Sequence, residues 1–163
     1  QIHHREGGAA AAALMSGGMC ELICDGLHIA PHMVNFTLRT VGLERLVLIS
    51  DSMAAAGAPD GEYLIAGTLA HVSGGIARTP EGALAGSTLD LHRAVENLAS
   101  FCGIPITDAV IAATKNPAAE VGLAGDVGVI APGARADMLF CNVDAINKKI
   151  RIDRVFVGGR EVL

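Results

Sequence analysis

Apolar residues fall in short blocks separated by small and polar ones, and the blocks change period along the chain. Ala9 to Met15 is an alanine-rich run that favours helix. Glu21-Leu22-Ile23-Cys24-Asp25 predicts a short apolar strand. Pro31 then opens a helix to about Val41, since proline is tolerated in a first turn. Arg45 to Ser50 is the next strand, almost wholly apolar, as a parallel strand covered on both faces must be. Strand, helix and strand at this spacing form a βαβ unit.

Beyond Asp51 the pattern alternates. Pro59-Asp60-Gly61 signals a turn. Tyr63 to Ala66 and Leu69 to Val72 flank Gly67-Thr68, and Ile76-Ala77-Arg78 follows Gly74-Gly75, which predicts a β-hairpin or small meander inserted into a βα loop. Gly86-Ser87-Thr88 is expected to open and cap a long helix from Leu89 to Phe101. Thr107-Asp108 is expected to cap Ala109 to Thr114, and Asn116-Pro117 to start Ala118 to Val121. The tail predicts strands at Val127–Ile130, Ala136–Phe140 and Ile150–Val157, with a last one after Gly158. Two parallel strands do not close a barrel and leave unpaired edges. The sheet is therefore the end of a barrel or an incomplete α/β sheet, and structure upstream is expected. An opening of Gln1-Ile2-His3-His4 instead of Met points the same way.

Composition narrows the class. The 163 residues are 51% hydrophobic but 3% aromatic, so the core is aliphatic. The net charge is −5 with no basic run, which disfavours nucleic acid, although one placed arginine can still hold a phosphate. No apolar stretch reaches the length of a membrane span. Cys20, Cys24, Cys102 and Cys141 form no C-x-x-C pair and are expected to be reduced and mostly buried, in keeping with a cytoplasmic location.

Candidate chemistry sits where the strands end. Asp51 follows Leu46-Val47-Leu48-Ile49-Ser50 at the strand's C-terminal mouth, where βα barrels place their active sites. Asp25-Gly26-Leu27-His28 ends the preceding apolar stretch in the same way. Each also has a plain structural role open to it: Asp51 as a loop carboxylate or helix cap, His28 as a satisfied turn residue. His3-His4 makes a poor chelate, because neighbours in an extended stretch point to opposite faces.

These motifs resemble those of the N-acetylglucosamine-6-phosphate deacetylase family of the amidohydrolase superfamily. The matching stretches are His4-Arg5-Glu6-Gly7, Asp25-Gly26-Leu27-His28, Leu48-Ile49-Ser50-Asp51, Leu84-Ala85-Gly86-Ser87-Thr88, Asn116-Pro117-Ala118 and the tail from Gly128 to Asp137. The resemblance covers essentially the whole chain. It implies an α/β fold, the C-terminal portion of a metal-dependent hydrolase (β/α)8 barrel: its last two strands with helices and an inserted β-hairpin over 1–121, then strands of a small β-sandwich domain over 122–163. It implies removal of the acetyl group from N-acetylglucosamine 6-phosphate, with Asp51 as the proton shuttle. Arg5 would hold the phosphate, His28 would contact the substrate with Asp25, Gly26 and Leu27 shaping its turn, and Leu84, Ala85 and Gly86 would offer backbone groups to the sugar. A divalent metal, zinc or iron, is implied for the full-length enzyme, its ligands lying upstream of Arg5 and absent from this chain, so the isolated chain is expected to be inactive. The implied partners are a phosphorylated amino sugar and a second subunit in a homodimer, with no nucleic acid and no membrane. Two alternatives remain: another amidohydrolase of an N-acyl or cyclic amide, against which Arg5 weighs, and a non-catalytic sugar-phosphate-binding remnant.

Overall fold

The computed structural model describes every residue except Gln1, His4 and Ala66. The expectations that fell on His4, in the first motif, and on Ala66, ending a strand, lie outside the described residues. Helix α1 (Gly8–Met15) precedes β1 (Cys20–Ile23), α2 (Pro31–Val41) and β2 (Leu46–Ile49). The two strands pair in parallel, Cys20 opposite Leu46 through Ile23 opposite Ile49. This is the βαβ unit the sequence predicts.

The insertion is a three-stranded antiparallel meander, β3 (Gly61–Ile65), β4 (Thr68–Ser73) and β5 (Ile76–Arg78). Its Ala55, Val72 and Ala77 form a small cluster with Met53, Tyr63 and Ala85. The chain then returns to the first sheet. Ser52 bridges Ser87 in parallel, with Ser87 N–H donating to Asp51 O at 2.9 Å and Met53 N–H to Ser87 O at 2.9 Å. Ser87 therefore bridges the segment that follows β2, and neither Ser87 nor Thr88 caps a helix. Helix α3 starts later, at Leu91–Cys102, with Asp90 at its N-cap. The cap expectation fails because both hydroxyls are committed elsewhere: Ser87 Oγ accepts from Leu89 N–H, and Thr88 Oγ1 donates to Gly75 O.

The next helix starts earlier than expected. Pro105 caps α4 (Ile106–Ala109), a 3-10 turn follows over Val110–Ala113, and α5 spans Lys115–Glu120. Asn116 lies inside that helix and is buried. Its Nδ2 donates to Leu43 O and Leu46 O, both at 2.7 Å, pinning α5 to the start of β2. Val127–Ile130 forms no strand, only an isolated bridge between Ala124 and Val127. The last sheet is antiparallel, β6 (Met138–Asp144), β7 (Lys149–Val157) and β8 (Arg160–Glu161), with a register shift between Phe140 and Cys141.

The core lies where α2, α3 and α4 cover β1 and β2. Leu22, Val34, Leu46 and Leu98 are its largest fully buried members. Each such side chain contributes about 1.5–3 kcal/mol through burial. Cys24 belongs to this core and burial pushes its thiol up to about 12, so it is inert. Cys141 is exposed and Cys20 and Cys102 are half-buried, so the expectation of mostly buried thiols fails. Glu96 is buried on α3 and reaches the last sheet. Its Oε1 accepts Ile150 N–H at 2.7 Å and its Oε2 accepts Lys149 Nζ at 2.9 Å. Burial raises its pKa, but these donors outweigh that and hold the carboxyl below its usual range. No helix among the described residues is long and apolar enough to cross a membrane.

Candidate active site

The turn after β1 is built around one carboxylate. Asp25 Oδ1 accepts Leu27 N–H at 2.8 Å and His28 N–H at 2.9 Å, an Asx-type turn. Its Oδ2 lies 2.7 Å from His28 Nδ1. With Nδ1–H given to Asp25, Nε2 is the ring nitrogen left for a ligand. Burial alone would raise the Asp25 pKa, but the hydrogen bonds from His28 and Leu27 hold it below the usual carboxylate range. Gly26 has φ +78°, and a Cβ there would meet the Phe101 ring at 3.3 Å, so the turn needs glycine on two counts.

Beside this turn lies a cleft of about 340 Å³. Asp25, Leu27, His28, Leu84 and Gly86 line it, so five of the nine predicted site residues come together. Gly26 joins them as the hinge of the turn. Ala85 does not face the cleft: it packs in the meander cluster, with its N–H on Ala77 O at 3.1 Å. Arg5 is exposed in the turn bridged by His3 and Glu6 and does not line the cleft.

Asp51 departs from expectation in an informative way. Its side chain is exposed, so a buried carboxylate's desolvation cost does not apply, and it is not among the residues lining the His28 cleft. Its cost lies in the backbone, at φ 48°, left-handed for a non-glycine residue. The link to the cleft runs through Gly86, where a Cβ would stand 3.3 Å from Asp51 O and 3.2 Å from Met53 Cβ, at φ +68°. Gly86 therefore lets its loop pack closely against the Asp51–Met53 segment that follows β2.

The remaining wall comes from segments whose place at the cleft is not legible in sequence. Gly74, Gly75, Ile76 and Ala77 of the meander line the cleft, as do Ser87, Thr88, Asp90 and Arg93. The β4–β5 turn is fastened there from two sides. Asp60 accepts Gly74 N–H at 2.6 Å and Gly75 N–H at 3.2 Å, and Thr88 holds Gly75 O. The one available signal was the Asp60-Gly61 turn, which predicts a bend but not its partner. Among the described residues no three His, Cys, Asp or Glu side chains gather to hold a metal ion. These residues by themselves therefore do not hold the divalent metal that the resemblance implies for the full-length enzyme.

A parallel βαβ unit whose first strand ends in a polar turn lining a cleft is the frame of this site. The chain belongs to the amidohydrolase family, whose model matches residues 4–162. It is 36% identical over 160 residues to a putative N-acetylgalactosamine-6-phosphate deacetylase of Escherichia coli (strain K12), covering 98% of this chain and 92% of that protein. It is similar to the crystal structure of N-acetylglucosamine-6-phosphate deacetylase from Thermotoga maritima, with TM-score 0.88, 35% identity, and coverage of 99% of this chain and 43% of that one. It is likewise similar to a mutant Mycobacterium smegmatis N-acetyl-D-glucosamine-6-phosphate deacetylase in complex with N-acetyl-D-glucosamine-6-phosphate, with TM-score 0.88, 34% identity, and coverage of 99% and 42%. The chain thus spans about two fifths of the length of these two solved relatives.

Proposed function

We propose that this chain is the C-terminal part of an N-acetylglucosamine-6-phosphate deacetylase, carrying the proton shuttle and part of the sugar-phosphate site. Residues 1–121 would supply the last strands of the (β/α)8 barrel and 122–163 strands of the small β-sandwich domain. The observation that carries the reading is the cleft itself. It joins the Asp25–His28 turn to Leu84 and Gly86, and Gly86 rests on the Asp51 backbone.

Each residue then has a task. Asp51, exposed at the strand mouth, takes a proton from the attacking water and returns it to the leaving nitrogen as the amide breaks. His28, oriented by Asp25, presents Nε2 to the substrate. Arg5, outside this chain's cleft, suits an arginine that reaches the phosphate in a neighbouring subunit's site, which supports a homodimer. A divalent metal, zinc or iron, would activate the water, held by residues outside these 163. The product pair is glucosamine 6-phosphate and acetate. The galactosamine epimer is the second reading, favoured by the name of the E. coli relative.

The test is acetate release from both N-acetylhexosamine 6-phosphates. The isolated 163-residue chain is expected to give none, even with added zinc. In a longer enzyme carrying this segment, Asp51→Asn is expected to lower kcat by about 100-fold or more. A near-normal rate in that variant removes Asp51 from the shuttle role.

A further inference from the structure

A second cleft, of about 400 Å³, opens on the seam between α3 and the β6–β7 hairpin. His92 and Arg93 wall it from the helix, and Asn142, Lys149 and Arg151 from the sheet. Nothing in the deacetylase reading uses it. Its two carboxylates are already engaged. Glu96, at its base, takes Ile150 N–H and Lys149 Nζ and lies 3.7 Å from Arg93 Nη1. Asp144, also on the wall, accepts Ile146 N–H and Asn147 N–H at 3.0 Å and Asn147 Nδ2 at 2.7 Å, closing its own turn.

Its donors are not exhausted. Arg93 approaches Glu96 only at 3.7 Å, beyond hydrogen-bond range. Lys149 commits one of its three protons to Glu96, and Arg151 offers Nη2 to Asp153 at 3.2 Å, leaving the rest of its fork. Arg93, Lys149 and Arg151 thus line the cleft with donors to spare, while its carboxylates Glu96 and Asp144 are engaged and Asp153, outside the lining, takes only one edge of Arg151. A cleft with spare cationic donors and engaged carboxylates is complementary to an anion. Two guanidinium forks and an ammonium on one lining suit the tetrahedral oxygens of a phosphoryl group. Buried Glu96 fixes the spacing, since it grips β7 at Lys149 and Ile150 while Arg93 stands one turn away on the same helix.

We infer that this seam is a phosphoryl-binding site, separate from the His28 cleft and bordering it at Arg93. Free phosphate and the phosphate of a sugar share the recognised chemistry. The experiment is an amide-shift NMR titration of the whole 163-residue chain at constant ionic strength. Inorganic phosphate, glucosamine 6-phosphate and chloride are the three probes. Both phosphoryl compounds should move the Ile150 and Arg151 amides saturably, and chloride should not. Arg93→Gln and Arg151→Gln should each weaken phosphate binding by about fivefold. Tighter binding of the sugar phosphate would assign the site to a sugar-borne group, and equal binding to phosphate itself. Shifts confined to Leu27 and His28, a linear response matched by chloride, or undiminished binding in both variants would each overturn the inference.

Discussion

At Asp51 the backbone and the carboxylate make separate demands. The left-handed φ of 48° suits Asp and Asn better than other non-glycine residues, while the proposed chemistry needs the acid alone. Asp51→Asn should therefore keep wild-type stability to within about 0.5 kcal/mol, and Asp51→Ala should lose roughly 1 kcal/mol to strain, both read from urea unfolding midpoints. Asp25 carries a different signature. Its folded pKa lies below the unfolded value, so the unfolded state binds more protons in that range. Its contribution is complete above the ordinary aspartate pKa, near pH 4, and is lost as pH falls through the folded value. Asp25→Asn should flatten that acid limb and cost about 1 kcal/mol at pH 7; an unchanged limb in a pH series of thermal melts would count against the role of this carboxylate. The motif Asp25-Gly26-Leu27-His28 was legible as a turn because each residue type has a local reason to be there. That Asp51 is exposed was not legible, since solvent at the end of an apolar strand is decided by neighbouring segments.

Elements came through where local chemistry and tertiary contacts agree. Helix α2 runs from Pro31 to Val41 as its first-turn proline and apolar spacing require, and β1 and β2 pair as a βαβ unit must. Ser87-Thr88 forms no helix cap because Ser87 bridges Ser52 through its backbone and the Thr88 hydroxyl donates to Gly75 O, and nothing nearby in sequence announces either partner. Asn116 stands at a helix start, as its sequence predicts, since α5 begins at Lys115, and it is also a tie across some seventy residues that the sequence does not announce. Asn116→Ala would leave the Leu43 and Leu46 carbonyls without their buried donor and is expected to cost about 2 kcal/mol. Gly128 makes a similar long-range contact. A Cβ there would stand 2.6 Å from Thr114 O at φ +75°, so Gly128→Ala should lower Tm by several degrees through backbone displacement. A Tm within a degree of wild type would show that the tail yields freely.

At the scale of the whole molecule, the strands of the described residues fall into three small sheets with no strand in common, and single residues carry the joins. Glu96 is the join between α3 and the last sheet. Glu96→Gln keeps its shape but weakens its hold on Lys149, and Ile150 should then lose amide protection while Leu22 and Leu46 keep theirs. Hydrogen exchange reads this directly, and equal loss at all three sites would mean that the sheets unfold as one. Such joins were beyond the sequence, because a glutamate on an amphipathic helix looks like a solvated residue until β7 arrives beside it.

The doubly tethered bend between β4 and β5 has one more consequence. Asp60 sits fourteen residues upstream, exposed and outside the cleft lining, yet it holds two peptide groups that form a wall of the His28 hollow. The opening's width is thus governed from outside by a surface acid that no ligand needs to touch. Varying that acid retunes which molecules enter without altering any group that meets them.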